Sequence, residues 1–365
     1  MKRKKIDSFF LFLVIGLVLV GFFIFSSAAL GQLTKDGASF LTVVSKQFAI
    51  LLSGLILMFL VGHLDYKYWR RYAAGLFILS AGLALLVLVP QFALEAGGAK
   101  RWLSLGSISF QPAEFLKFAT VLYLAGWLAT QKDRVKNLAG GLGPFLILIA
   151  ILGAILVYVQ KDNGTFLVTI ITAGIMFFVG GGKIRHLAIL VLIGLIGLAG
   201  VAYVRPYVQE RLTTFLNPSH DLLGASYQIN QSLIAIGSGG TSGRGFGQSV
   251  QKFNFLPEPI GDSIFAVAGE EFGFIGTSGL ILFFLVFALW AYKLAFKIID
   301  PFGRFVIIGF VSLMIIQAFI NIGAMLGLIP LTGVPLPFVS HGGTALLFSL
   351  LEAGIILNIS KYRAS

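Results

Sequence analysis

Long apolar runs fill most of this 365-residue chain and leave little sequence between them. A helix that crosses the hydrocarbon core of a bilayer needs about 20 consecutive, mostly apolar residues. Ten such runs lie at approximately 9–30, 44–62, 72–90, 112–130, 143–160, 164–181, 186–204, 264–291, 305–328 and 343–360. The sequence therefore predicts an all-α integral membrane protein with about ten transmembrane helices, in a single domain over residues 1–365.

Charged side chains are too few to cover a surface that faces water. They make up 12% of the chain, whereas a soluble domain carries roughly a quarter. The mean hydropathy of +0.94 agrees with a surface that faces lipid. The chain has no Cys, which excludes disulfides and Cys-based metal sites.

The net charge of +12 follows the expected membrane topology. If the N-terminus is cytoplasmic, 17 of the 27 Lys and Arg residues fall on inner segments, as in proteins that this charge bias orients. We therefore predict two cytoplasmic termini and no nucleic-acid partner. The basic residues Lys2–Lys5 precede an apolar run of about 22 residues. This run is longer than the 7–15 residues of a cleavable signal peptide, so we expect an uncleaved first helix.

One connection is far longer than the others. Residues 205–261 form a predicted extracytoplasmic loop between helices seven and eight, and loops of this length are usually functional or disordered. Its apolar and aromatic content argues against disorder, and Ser226–Ile236 has the spacing of a short amphipathic helix. The proline-rich segment Leu328–Gly343 is too apolar for open water, so we expect it to fold back into the mouth of the bundle.

Charged residues that fall inside predicted helices include Glu114, Lys117 and Glu352. Glu114 and Lys117 are three residues apart on one face of helix four, and Glu352 lies in helix ten. Charges at this depth are costly unless they are paired. Glu114 and Lys117 form either a structural ion pair or one wall of a substrate cavity, and Glu352 faces either that cavity or a neighbouring helix.

Two short polar stretches each allow two interpretations. Asp162, in a short outward turn, either caps helix six or faces a catalytic cavity. The Gly-rich stretch Gly237–Gly247 lacks the spacing of a nucleotide-binding loop, and it forms either a phosphate-binding nest or a hinge. The four His residues, His63, His186, His220 and His341, are isolated and have no metal-binding spacing.

Asp262 is the sharpest catalytic candidate, because it stands where the long loop re-enters the membrane. Partial desolvation at that boundary would raise its pKa and make it a better general base. The alternative role is a helix N-cap, which Asp also suits. Glu270 and Glu271 follow one to two turns later and would add polar groups below the same mouth.

Seven ordered motifs of this chain resemble the SEDS family (shape, elongation, division and sporulation), the FtsW/RodA/SpoVE peptidoglycan glycosyltransferases. The resemblance covers nearly the whole chain. The motifs are Gly98-Ala-Lys-Arg-Trp102, Gln111-Pro-Ala-Glu-Phe-Leu-Lys117, Gln160-x-Asp-x-Gly-Thr165, Tyr227–Gly240, Leu256-Pro-Glu258, Asp262–Gly273 and Pro335–Gly343.

This resemblance implies that the chain polymerises lipid II, a disaccharide-pentapeptide on undecaprenyl pyrophosphate, into glycan strands. Asp262 matches the family's essential loop aspartate and would deprotonate the acceptor's 4-hydroxyl. The substrate-binding candidates are Arg101, Lys252, Glu258, Arg205 and Arg211. A divalent cation, Mg or Mn, would have Asp262 and Asp162 as its first candidate ligands, and no organic cofactor is expected.

The chain departs from the family pattern at a few positions. Ile260 and Gly261 stand where the family usually has His-Thr, and Ser263 stands where it has Phe. Any assisting role of that His is therefore not carried over. Lys161 and Asn163 flank Asp162 in place of the usual Pro and Leu or Phe, and His341 replaces a Tyr.

The run Gly243–Lys252 is similar to the division branch, FtsW. The resemblance then implies a septal polymerase in the bacterial plasma (inner) membrane. Its partners would be a class B penicillin-binding protein, which supplies the transpeptidase, and other division proteins. Three alternatives stay open: a RodA-type elongation polymerase, a lipid II flippase that uses Glu114, Lys117 and Glu352, and a non-catalytic division scaffold.

Overall fold

The fold is taken from a computed structural model that describes residues 5–34, 40–96, 99–106, 108–217, 221 and 224–364. Some residues named above lie outside this described part of the chain: Lys2–Lys4, Gly98 in the first motif, and His220.

Twelve α-helices account for most of the described chain. They are α1 (Ser8–Ala28), α2 (Phe40–His63), α3 (Lys67–Leu85), α4 (Pro112–Gln131), α5 (Gly143–Gly153), α6 (Asn163–Val179), α7 (Ile184–Val204), α8 (Pro206–Leu216), α9 (Tyr227–Ser238), α10 (Ile264–Phe296), α11 (Pro301–Met325) and α12 (Gly343–Ser360). Wider π-helical turns at Leu138–Leu142 and Ala154–Val159 extend α5 at both ends.

Each of the ten predicted apolar runs is helical, which confirms a mostly helical membrane protein. Eight of these segments are long and apolar enough to cross a membrane. At 17 residues, α6 is shorter, and α4 is not among the eight. The count of ten crossings therefore stays a prediction.

Aspartates form the N-caps of three helices and so set the residue at which each helix begins. The carboxylate of Asp7 accepts a hydrogen bond from the amide of Phe10 at the start of α1. Asp162 accepts one from Thr165 in α6, and Asp300 accepts one from Gly303 in α11. Each bond satisfies one amide that the first helical turn leaves without a partner.

The helices α11 and α12 are the most buried of the candidate spans and form the centre of the bundle. The helix α11 packs against α4, α6 and α10, and α12 packs closely along α2. The helix α7 is mostly exposed and leaves a broad apolar surface for lipid.

The connections that carry the predicted functional residues meet at one end of the bundle, called here the loop end. It holds α8, α9 and a three-stranded antiparallel sheet, β1 (Ala93–Ala96), β2 (Ala99–Leu105) and β3 (Ile108–Phe110). The amphipathic helix predicted at Ser226–Ile236 is confirmed as α9, whereas α8 and the sheet were not predicted.

Residues 326–342, called here the re-entrant segment, fold back into the bundle as predicted. Val334, Leu336 and Phe338 are buried. The segment lies against α1 so closely that a Cβ at Gly21 would come within 2.2 Å of the main-chain oxygen of Phe338. It therefore forms part of the core at the loop end.

The Gly-rich stretch packs against a break in α10, where Gly273 has a φ of 63°. The amides of Arg244 and Gly245 donate to the carbonyls of Glu270 and Glu271, and the amide of Phe274 donates to Gly240. Because these amides already have partners, the stretch does not form a phosphate nest, and its packing makes it a fixed brace rather than a hinge.

Candidate active site

A tight turn immediately before α10 presents Asp262. The carbonyl oxygen of Glu258 accepts hydrogen bonds from the amides of Gly261 (2.9 Å) and Ser263 (3.2 Å). Glu258 has a positive φ of 45°, which closes the turn. The amide of His341 donates to the carbonyl of Ile260 at 2.7 Å. This hydrogen bond connects the turn to the re-entrant segment.

The carboxylate of Asp262 is partly buried among groups with opposite effects on its charge. Burial is the larger of two influences that raise its pKa, to about 6, and the second is the neighbouring carboxylate of Glu258. A hydrogen bond from Gln228, whose Nε2 lies 3.3 Å from Oδ1, and the positive charge of Arg211 work in the opposite direction. A carboxyl group with this pKa can accept a proton near neutral pH.

A cavity of about 260 Å³ opens between α8, α9 and the beginning of the re-entrant segment, and Gln228, which donates to Asp262, lies in its wall. Gln228 and Arg211, which both act on Asp262, line it together with Glu210. The remaining wall is largely apolar and includes Phe215 and Leu233. The cavity can hold a molecule with both polar and apolar parts, and Gln228 connects its wall to the carboxylate of Asp262.

The three candidate arginines lie at the loop end and each is partly exposed. Arg101 of β2 donates to the carbonyls of Gln160 and Lys161. Arg205 donates to the carbonyls of Val157 and Tyr158. Of the three, only Arg211, which donates to Leu331 O at 2.6 Å, acts on the charge of Asp262.

Lys252 corrects one prediction, because its ammonium is fully buried. Its Nζ lies 2.7 Å from Oε1 of Glu271 in α10 and donates to Oγ of Ser27 in α1 at 3.0 Å. An ion pair in which both side chains have no exposure does not meet a substrate. Lys252 instead fastens the long loop to two helices.

Glu270 also binds the loop and does not line the cavity beside Asp262. Its Oε2 accepts hydrogen bonds from Oγ of Ser249 (2.6 Å) and from the amide of Gln251 (3.1 Å), and its Oε1 pairs with Arg244. Like Glu271, it is buried. The two glutamates predicted below the mouth therefore hold residues 244–252 in place.

The intramembrane residues Glu114, Lys117 and Glu352 form one buried group. Nζ of Lys117 lies 2.9 Å from Oε1 of Glu114 and donates to Oε1 of Gln317 at 2.7 Å. Glu352 is buried near the same pair. This arrangement favours the structural interpretation of Glu114 and Lys117 over an open cavity wall.

Asp162 caps α6, as one of the two interpretations of its position predicted. Its Oδ1 accepts from the Thr165 amide, and its Oδ2 accepts from the Thr165 hydroxyl (2.9 Å) and from Nε2 of Gln111. Over the described part of the chain, no three acidic or His residues come together as a metal cluster. The Mg or Mn site with Asp262 and Asp162 as its first candidate ligands stays a prediction.

Three amide side chains in this region were not among the predicted site residues. They are Gln228, which donates to the carboxylate of Asp262, and Gln317 and Asn321 of α11. The last two are polar residues four apart within the apolar run 305–328. That spacing places them on one helical face, so it was a readable signal for a buried polar contact.

The comparison with known proteins agrees with this architecture. Residues 7–365 match the FtsW/RodA/SpoVE family, described as cell cycle proteins. The stage V sporulation protein E of Bacillus subtilis is 39% identical over 352 residues, which cover 96% of this chain and 94% of that protein. A protein of Geobacter sp. (strain M18) named probable peptidoglycan glycosyltransferase FtsW is 36% identical, over 92% of this chain and 90% of its own length.

Solved structures share the fold over nearly the full length. A chain from work on the structural coordination of polymerization and crosslinking by a peptidoglycan synthase complex has a TM-score of 0.80 and 27% identity, covering 98% of this chain and 99% of its own. The rod shape determining protein RodA of Thermus thermophilus has a TM-score of 0.72 and 28% identity, with coverage of 99% and 98%. The motif resemblance is thereby confirmed, and the chain belongs to the FtsW/RodA/SpoVE family of membrane proteins.

Proposed function

We propose that this protein is a peptidoglycan glycosyltransferase that polymerises lipid II, with Asp262 as its general base. The observation that carries the proposal is a carboxylate with a pKa of about 6 whose hydrogen-bond donor, Gln228, lines a cavity of mixed polarity. Relatives with matching length are named as enzymes of this class.

In the proposed reaction, Asp262 takes the proton of the acceptor's 4-hydroxyl as its oxygen attacks the donor's anomeric carbon. The bond from that carbon to the pyrophosphate oxygen breaks, undecaprenyl pyrophosphate leaves with the bonding electrons, and the configuration inverts. Gln228, which donates to Oδ1 of Asp262, orients the carboxylate. Burial keeps its basicity high enough to be useful near neutral pH.

Negative charge grows on the pyrophosphate as it leaves, so a nearby cation would stabilise the transition state. Arg211 is the best-placed side chain, because it lines the cavity and its charge reaches Asp262. Arg101 and Arg205 lie farther along the same end of the bundle. No step of the proposed reaction is assigned to the predicted Mg or Mn ion.

For its biological setting, we propose septal wall synthesis in the bacterial plasma membrane, with both termini cytoplasmic. The proposed partner is a class B penicillin-binding protein, together with other division proteins. Support comes from the FtsW-like run Gly243–Lys252 and from the structural likeness to a chain of a peptidoglycan synthase complex. Co-purification with division and elongation transpeptidases distinguishes this role from that of a RodA-type polymerase.

The decisive experiment measures glycan chain formation from lipid II by purified protein with its partner. Asp262→Asn keeps the size and the hydrogen-bonding capacity of the side chain but removes the base, and we expect a rate loss on the order of 100-fold or more. Asp300→Asn, at the start of α11 and at the opposite end of the bundle from Asp262, serves as the matched control. A wild-type rate for Asp262→Asn would disprove the proposed role.

The flippase and scaffold alternatives make different demands on the chain. A flippase needs a polar path, whereas Lys117, Glu114 and Gln317 bind one another in a buried group. In vesicles, a flippase would expose lipid II headgroups without forming polymer. A scaffold would support cell division equally well with Asn at position 262.

A further inference from the structure

One buried side chain connects Asp262 to the centre of the bundle. Nδ2 of Asn321, in α11, donates to the main-chain oxygen of Asp262 at 2.7 Å and to that of Val334 at 2.8 Å. Asn321 is only 1% exposed. A single amide therefore joins three parts of the protein: α11, the turn that carries Asp262, and the re-entrant segment.

A second amide on the same face of α11 continues this connection. Gln317 lies one turn before Asn321, and its Nε2 donates to the carbonyl of Pro335 at 2.9 Å. Its Oε1 accepts from Lys117, which is paired with Glu114. The intramembrane ion pair thus fixes the orientation of Gln317, and α11 holds two consecutive carbonyls of the re-entrant segment.

These contacts fix the main chain on both sides of the carboxylate. His341 N holds Ile260 O from the re-entrant segment, two residues before Asp262. Asn321 holds the carbonyl of Asp262 itself and does not touch its carboxylate. Contacts with α11 and the re-entrant segment therefore fix the main-chain position from which the side chain of Asp262 extends.

We propose that Asn321 is a positioning residue for Asp262, and that Gln317 with the Lys117–Glu114 pair supports it. This inference rests on the proposed role of Asp262 as general base. The amide sets where the carboxylate stands relative to the acceptor hydroxyl, and displacements of about 1 Å at a reacting group cost roughly 100-fold in rate. The buried charges of α4 then serve catalysis through geometry and make no contact with substrate.

The matched control for Asn321→Ala is Asn358→Ala. Asn358 is 3% exposed, its Nδ2 donates to Gly62 O, and its Oδ1 accepts from Tyr66 N. It therefore also makes two buried hydrogen bonds, but at the opposite end of the bundle. Both variants lose comparable packing and hydrogen bonding, whereas only Asn321→Ala releases Asp262.

The assay measures lipid II polymerisation by the complete protein with its partner, together with thermal unfolding. We expect Asn321→Ala to lower kcat on the order of 10- to 100-fold with little change in KM, and Gln317→Leu to have a smaller effect of the same kind. Asn358→Ala should unfold at a similarly reduced temperature but keep its kcat. Asn321→Ser, which is too short to reach both carbonyls, replaces the Ala variant if that variant does not fold.

A double-mutant cycle separates positioning from stability. In an Asp262→Asn background, Asn321→Ala should reduce the residual rate no further, because there is no base left to position. Equal kcat losses for Asn321→Ala and Asn358→Ala, or a full extra loss in the Asp262→Asn background, would refute the positioning role alone. Wild-type activity of Asp262→Asn by itself would refute the general-base proposal and the positioning role with it.

Discussion

At the scale of single residues, the charge of Asp262 is set by neighbours that oppose one another. Burial and Glu258 disfavour the carboxylate form, while Gln228 and Arg211 favour it. The balance gives a pKa of about 6. Only the deprotonated form accepts a proton, so activity should rise with pH through that value and fall below it.

Two substitutions should move this midpoint in opposite directions. Glu258→Gln removes a neighbouring negative charge, so the pKa of Asp262 should fall and the acid limb of the rate profile should move below pH 6. Arg211→Gln removes a positive charge and should move the limb above pH 6. The measurement is polymerisation rate against pH, comparing midpoints rather than absolute rates.

Shifts of the same sign in both variants, or no shift in either, would show that another group controls the pH profile. Arg205→Gln is the control variant for Arg211→Gln. Arg205 is also an arginine of the loop end that donates to main-chain carbonyls, but it is not among the groups that shift the pKa of Asp262.

At the scale of elements, the buried Lys252–Glu271 pair fastens the long loop to α1 and α10. Lys252→Met leaves Glu271 buried without its cation, which costs about 3–5 kcal/mol in comparable cases. We expect a clear drop in the unfolding temperature of the purified protein. Adding Glu271→Gln to Lys252→Met should restore part of the loss, and a double variant as unstable as the single one would argue against the ion-pair explanation.

The break in α10 depends on glycine at position 273. A Cβ there would stand 2.3 Å from the amide nitrogen of Gly243, at a φ of 63° that other residues rarely adopt. Gly273→Ala should therefore reduce the yield of folded protein. Gly279→Ala, in the same helix with open space around the added carbon, is the control and should purify normally. Equal yields would show that the packing of the Gly-rich stretch against α10 tolerates a shift of the main chain.

At the scale of the whole molecule, the charge distribution predicts that the loop end faces outward. The chain has no Cys, so single cysteines can be labelled without background. Ser242→Cys, exposed at the loop end, should react with an impermeant maleimide in intact spheroplasts. Asn137→Cys, exposed at the other end, should react only after permeabilisation. The reverse pattern would overturn the predicted topology.

The sequence by itself determined the membrane class, the helical segments, the amphipathic helix α9 and the family. Those properties depend on apolar run length, local periodicity and ordered motifs, which are all visible along one chain. It also singled out Asp262, although position alone did not separate a helix cap from a base.

Only the tertiary structure decided which polar groups meet. The family resemblance placed Lys252 among the substrate contacts. In the folded protein its ammonium is buried and bound to Glu271 and Ser27. Asn321 lies 59 positions from Asp262, yet it binds the main chain of that residue. Such contacts depend on how helices pack across long sequence separations, and burial, which sets the pKa of Asp262, exists only after that packing has formed.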